Sequence, residues 1–599
     1  MANRTIRTRT TPIPNTLSPR RPKRTRGGMN RMPESGTRRD FYRFDATPFY
    51  AERGWLLGGG AVGGKAKGLA FAHRALSAGP LSGSVLLPPV TLVVGSEVFL
   101  GFIDDNDMEW AYREPDWERI AIAFSKGRFR ESFTRDIERG LALLGGVPLA
   151  IRSSSTLEDS VRLSFAGKYD TCFSANIGDP GRQMREIEDS LRTVWASLFK
   201  SAPRAYRAKH GCRDEDEAMA VLIQPITGKL RDDLYYPELA GAAFSRVYRR
   251  PTPRVRKEDG VMRLCFGLGT RTVERSNARV FYLTNPNLRP EGNQPREIAR
   301  AGQTEFDYID RTFGSFMTAR LDQFLPFVLK RHASVHSFVE IFADNLLYWA
   351  GCPLTPASRP VFSFSSLPDK HPHFFRLVRD VLSSLEAAMG MPVDIEFTYD
   401  TDDRKMTLIQ LRPLASFAEA AGVVPPDVPP ESVLLRGDRM VSNGLIGRTE
   451  WLVYVDPDLY GTDGRNHEIA REIGRINRSL EGSRYILVGP GRWGSTNADL
   501  GVPVQYDELC NSGCIVEIGI RERDFTPELS YGTHFFLDLD VDGILYLPVF
   551  AGETGNEYDK SWFDGSPYEQ GRHPAVRIYR GAFAVYMDGE SEIGRVVRL

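Results

Sequence analysis

Apolar and polar positions alternate through residues 391–414, MPVDIEFTYDTDDRKMTLIQLRPL. The alternation predicts two β-strands joined by a polar turn at Asp400–Lys405. Ile395, Phe397 and Tyr399 share one face of the first strand, and Thr407, Ile409 and Leu411 one face of the second. Residues two apart on a strand point the same way, so Asp394 and Glu396 share the opposite face, beside Gln410 and Arg412.

Elsewhere strand and helix patterns alternate from residue 41 onward. GWLLGGGAVGGKAKGLAFAHRAL runs from a glycine-rich turn into a helix with Leu69, Ala72 and Leu76 on one face. PPVTLVV, VPLAIRSS, KYDTCFSAN, AVLIQPI and GAAFSRVY read as strands, and IEDSLRTVWASLF as an amphipathic helix. Ser155 and Glu158 have capping-box spacing. Residues 300–390 read as mostly helical, so that 285–385 forms a helical insertion or lid. GVVPPDVPPESV, residues 422–433, reads as a stiff linker. Beyond it, 434–599 has one clear helix, with Ile469, Ile473, Ile476 and Leu480 on a face, and strand-like runs RYILVG, CIVEIGI, HFFLDL, GILYLPVF and AFAVYM. The expected architecture is mixed α/β (α+β): a larger domain over 41–421, the linker, and a smaller α/β domain over 434–599.

Composition narrows the class. Hydrophobic residues make up 41% and charged residues 26% of the 599-residue chain, as in ordinary globular proteins. No apolar run approaches the ~18 residues of a membrane helix, and no secretory signal is visible. Six cysteines in no zinc-like pairing suggest free thiols and a cytoplasmic setting, with no membrane partner. The net charge is zero, but residues 1–40 hold eleven Lys/Arg against two acids. That Arg/Pro/Thr-rich tail is expected to be disordered, either inert or an address for anionic partners. The remainder carries a net charge of about −9, which argues against nucleic-acid binding.

Three segments carry candidate chemistry. Gly59, Gly64 and Lys65 fit G-x-x-x-x-G-K, but Ala66 replaces the hydroxyl that a Walker loop offers magnesium. The glycines and lysine either cradle phosphate or simply turn the chain into a helix. Arg152 ends an apolar strand before three hydroxyl residues, an arrangement that suits an anion or an ion pair with Glu158 or Asp159. On the 391–414 hairpin, Arg412 could neutralise the two carboxylates. Alternatively a Mg²⁺ ion sits among Asp394, Glu396 and the Gln410 oxygen, with Arg412 on a phosphate.

Taken in order, these segments resemble the N-terminal ATP-binding domain of the phosphoenolpyruvate synthase and pyruvate phosphate dikinase family. GGKAKGL matches its glycine-rich loop, IRSSSTLEDSVRLSFAGKYDT its VRSSATAEDL…SFAGQ.DT motif, and DIEFTYDTDDRKMTLIQLRP its DIEW…LQ.RP motif. VLIQPITG falls where the family has a V.VQ.MV strand. The resemblance spans about residues 50–415 and implies an ATP-grasp fold with ATP and Mg²⁺. It places Gly63, Gly64, Lys65, Arg152, Gln224, Asp394, Gln410 and Arg412 around the nucleotide and Glu396 with Gln410 on the metal. Arg152 and Arg412 would stabilise the phosphoryl group in transfer. The family's phosphohistidine motif is not found, and the residues after the linker are too few for a swivelling domain plus a ~250-residue barrel.

The resemblance implies an ATP-dependent phosphotransferase, kinase-like or dikinase-like. Its phosphoryl acceptor is unidentified, either a small molecule or a protein histidine. The alternative is an ATP-sensing regulatory protein that transfers nothing. His534, at a turn-to-strand junction in GTHFF, is the leading local acceptor or general base, against a histidine that merely bonds a turn. His332 and His336 have i, i+4 spacing with Glu340 beyond. Without an H-E-x-x-H glutamate they read as ordinary polar residues of a helix.

Overall fold

In the computed structural model the 391–414 stretch is an antiparallel hairpin of strands Val393–Asp400 and Lys405–Pro413. The structure describes residues 41–599 apart from 78, 89, 159–164, 166, 274–277, 415–422, 424–425, 496, 521–524 and 528–532. The tail at 1–40 and part of the proline-rich joint lie outside the described residues. Asp394 pairs with Arg412 and Glu396 with Gln410, as the alternation requires.

The apolar face departs from the expectation. The register shifts after Glu396, where Ile409 is the extra residue, so Phe397 faces Leu408 and Tyr399 faces Met406. Met406, Leu408 and Leu411 therefore join Ile395, Phe397 and Tyr399 in the core. Thr407 and Ile409 do not, because a bulge inverts the facing of every residue beyond it.

The hairpin is central in a six-stranded sheet ordered Arg279–Tyr282, Val261–Phe266, Leu239–Phe244, Val393–Asp400, Lys405–Pro413, Val85–Leu86. A five-stranded sheet faces it, ordered Leu56–Leu57, Leu92–Val94, Met219–Pro225, Leu149–Ser155, Thr171–Ser174. Its core takes the predicted face of helix Pro180–Ala196, including Ile187, Leu191 and Val194. Ser155 and Glu158 form the reciprocal bonds of a capping box: each backbone N–H donates to the other's side chain.

Residues 300–390 are not mostly helical. Helices Leu321–Arg331 and Pro372–Met389 are present. Between and before them lie strands Glu305–Asp310, Ser315–Arg320, Val339–Ala343, Leu346–Trp349 and Arg359–Phe362, in two small sheets. In Val339–Ala343 burial alternates along the strand, a period-2 pattern outweighed in the sequence by the apolar runs around it.

Residues 433–598 supply a nine-stranded sheet. Strands Gly444–Val455, Tyr485–Pro490, Ser512–Gly519 and Leu545–Phe550 are neighbours and parallel. Helix Asn466–Ser479 buries Ile469, Ile473 and Ile476 as predicted. HFFLDL, read as a strand, is instead the start of helix His534–Asp542. Thr533 stands at its N-cap and Gly543 closes it at φ 62°. The Thr533 side chain makes no capping bond, so the closing glycine is the flanking signal that decides a six-residue stretch whose four apolar positions fit either element.

Candidate nucleotide site

The two facing sheets leave a cavity of about 1110 Å³ between them. That is room for a nucleotide with a metal ion and part of an acceptor. The glycine-rich loop stands behind one wall and positions Lys65. Gly63 has φ 75°, and a Cβ there would stand 1.6 Å from the Ser154 carbonyl oxygen, so only glycine lets the loop lie against strand Leu149–Ser155. Helix Gly63–Leu76 starts there and carries Lys65 into the cavity, where Nζ donates to Ser153 Oγ at 3.2 Å and pairs with Glu158.

Arg152 projects from the adjoining strand. Its Nη2 donates to Glu396 Oε2 at 2.6 Å and to Gln410 Oε1 at 2.8 Å, drawing the cross-strand pair to one guanidinium. Arg412 lies on the same face and pairs with the buried Asp394. Burial works to raise the Glu396 carboxyl, but Arg152 and Arg412 outweigh it and hold the pKa at about 2. Glu396 is therefore ionised at neutral pH.

Gln224 donates from Nε2 to the Ile409 carbonyl at 3.2 Å, while its buried Oε1 has no partner. The bulge turns Ile409 toward this cavity. Gly63, Gly64 and Asp394 are not among the cavity-lining residues; they stand behind Lys65 and Arg412.

Another wall comes from the C-terminal region, mainly from helix His534–Asp542 and the turn around Tyr506. His534 lines the same cavity as Lys65, Arg152, Glu396 and Arg412. It sits against the turn at Gly167, where a Cβ would approach its Cδ2 to 2.7 Å. Its Nδ1 is buried without a partner. Burial, then the charge of Arg412, depress its pKa to about 3, with Lys168 and Lys65 adding and Glu396 opposing. The imidazole is thus neutral at physiological pH, with a lone pair available.

Asp538, one turn further along the helix, pairs with Lys168. Burial pushes its pKa up to about 6. Neither residue was predicted from the sequence, because each acquires meaning only from the other, 370 positions away.

His332, by contrast, caps a helix and contacts Tyr236 and Glu238 in the core, while His336 lies in a separate short turn and Glu340 on a strand. They share no helix face. Among the described residues no group of three or more His, Cys, Asp or Glu could hold a metal.

The acid–amide pair Glu396–Gln410 fits Mg²⁺ that also takes phosphate oxygens, since such ions use few protein ligands. The orphan Gln224 Oε1 fits a donor such as an exocyclic amine. A family model described as pyruvate phosphate dikinase, AMP/ATP-binding domain, matches residues 60–428. The chain belongs to this family. All the predicted cleft residues except His534 fall inside the matched span of this ATP-binding domain.

Individual relatives agree. A probable phosphoenolpyruvate synthase of Pyrococcus abyssi is 21% identical over 294 residues, 48% of this chain and 28% of the relative. A phosphoenolpyruvate synthase of Synechocystis sp. is 27% identical over 205 residues, covering 34% and 22%. A rifampicin phosphotransferase of Streptomyces sviceus is 34% identical over 110 residues, covering 18% and 11%. The chain thus matches between about a tenth and somewhat over a quarter of these relatives' lengths. Among the described residues no helix is long and apolar enough to cross a membrane.

Proposed function

We propose that the chain is an ATP-dependent phosphotransferase in which His534 is the first acceptor. The observation that carries this reading is the seat of His534: a neutral imidazole in the nucleotide cleft, within reach of the Arg412 and Glu396 charges. Lys65 and Arg152 would hold the phosphates. Glu396 and Gln410 would hold Mg²⁺, which neutralises phosphate oxygens during transfer. Arg412 would stabilise the group in flight.

In the step itself, an imidazole nitrogen lone pair forms the N–P bond and the P–O bond to the nucleotide breaks. The electron pair leaves on the nucleotide oxygen. Since Nδ1 is covered, Nε2 is the attacking atom. Transfer of the terminal group releases ADP, and transfer from the β-phosphorus releases AMP.

Incubation with ATP labelled separately at the β and γ positions tests this. Acid-labile, base-stable label on wild type, absent from His534→Asn, is the expected result. The label's position separates kinase from dikinase chemistry. Label persisting in His534→Asn would remove the acceptor assignment.

The sensing alternative draws support from the cleft's ion pairs. Lys65–Glu158, Arg152–Glu396, Arg412–Asp394 and Lys168–Asp538 leave each cation with an acid, and a nucleotide that broke them would signal to the second sheet. ATP binding without turnover in any extract would favour it.

A further inference from the structure

Lys168 is 6% exposed and lies between two tyrosine rings, 4.4 Å from the Tyr206 centroid and 4.3 Å from that of Tyr506. Tyr206 belongs to the ATP-binding lobe and Tyr506 to the C-terminal one. Its ammonium pairs with Asp538, on the same helix as His534 and four residues further on. The preceding residue, Gly167, has φ 69° and lies so close to the imidazole that a Cβ there would clash with it. One turn of chain therefore contacts both the ring and the acid, and Lys168, Asp538 and His534 all line the cavity.

During transfer a doubly charged group arrives beside a neutral ring. Of the cleft cations, Arg412 acts most strongly on the imidazole, followed by Lys168 and then Lys65. Lys168 differs from Arg412 in that its acidic partner, Asp538, shares the helix of His534.

We propose that Lys168 is a catalytic cation that receives the phosphoryl group at His534, exchanging Asp538 for phosphoryl oxygens. This rests on His534 being the acceptor. The N–P bond forms and the P–O bond breaks as above; Lys168 changes partners without gaining or losing a proton. Asp538 faces Lys168, Arg412, Asp542 and Tyr506. Once Lys168 leaves, Asp538 stands beside Asp542 in a poorly solvated site and takes one proton from solvent. The ring keeps its Nδ1 proton as the N–P bond forms, so where Asp538 starts ionised each phosphorylation carries one proton uptake, and labelling speeds up as pH falls through the range where Asp538 titrates.

The test uses the full chain, ATP labelled at both positions, and quenched time courses from pH 5 to 8. Lys168→Met is expected to bind Mg·AMP-PNP within about threefold of wild type and to label roughly 100-fold more slowly, the scale for losing one charge-stabilising donor. Lys168→Arg recovers most of that rate. Asp538→Asn, which keeps the volume and carries the test if Lys168→Met does not fold, labels several-fold faster at pH 7.5 and loses the dependence between pH 5 and 7.

Wild-type labelling rates in Lys168→Met, or an unchanged pH profile in Asp538→Asn, would overturn the proposal. Wild type that never labels fails the acceptor reading itself, a result distinct from label on His534 that ignores residue 168.

Discussion

Arg152 grips Glu396 and Gln410 at 2.6 and 2.8 Å, so the guanidinium now occupies the oxygens that a metal would take. Glu396→Gln keeps the shape but removes the charge. It is expected to weaken magnesium-dependent ATP binding at least tenfold by calorimetry, while binding of metal-free nucleotide changes little. Acidification should act through His534. Its folded pKa is about 3 against an ordinary 6.5, so the unfolded chain takes the proton first. Its stabilising contribution is full above pH 6.5 and is lost progressively toward pH 3. Asp538, raised to about 6, acts oppositely and stabilises as pH falls from 6 toward 4. Melting curves from pH 7 to 5 should therefore show less acid sensitivity in His534→Asn and more in Asp538→Asn. The hairpin's polar set was legible residue by residue because strand periodicity is local. Lys168 and Asp538 were not, because a lysine and an aspartate far apart in sequence look like surface charges until the fold joins them.

At the level of elements, the glycine-rich loop depends on Gly63. Gly63→Ala must move either the loop or the Ser154 backbone, and it also puts a side chain at positive φ. It is expected to cost about 1–3 kcal/mol of stability, seen as a lower melting midpoint. ATP affinity should fall with it, since Lys65 is carried two residues on. The Ser155–Glu158 capping box was readable from spacing alone, and Ser155→Ala is expected to cost about 1 kcal/mol. Two elements defeated pattern reading for physical reasons. The bulge at Ile409 leaves no mark in the alternation, yet it turns Thr407 and Ile409 away from the core. HFFLDL is too short for its period to choose between strand and helix, and its facing residues come from both lobes, Tyr546 against Phe536 and Gly167 against His534.

Across the whole molecule, one apolar core joins the lobes. Phe244, Val247, Val280 and Tyr282 pack in the same cluster as Ile473, Leu487, Trp493 and Phe536. The helix that carries His534 is also tied by polar pairs: Arg249 with Asp540, Lys209 with Asp542, and a hydrogen bond between His210 and Asp542. Arg249→Ala removes one partner of a buried ion pair and is expected to cost about 3–5 kcal/mol, lowering a melting transition that both lobes share. None of this could be read along the chain, since the sequence pattern fixes each sheet's own faces and not which sheet covers which. On the proposed function, one cleft built by both lobes holds ATP against His534. A crystal structure with Mg·AMP-PNP tests it most directly. The expected result has Mg²⁺ on Glu396 and Gln410, Arg152 moved onto phosphate, and His534 as the side chain nearest the terminal phosphorus. Nucleotide bound elsewhere, or His534 turned out of the cleft with the phosphates in place, would contradict it.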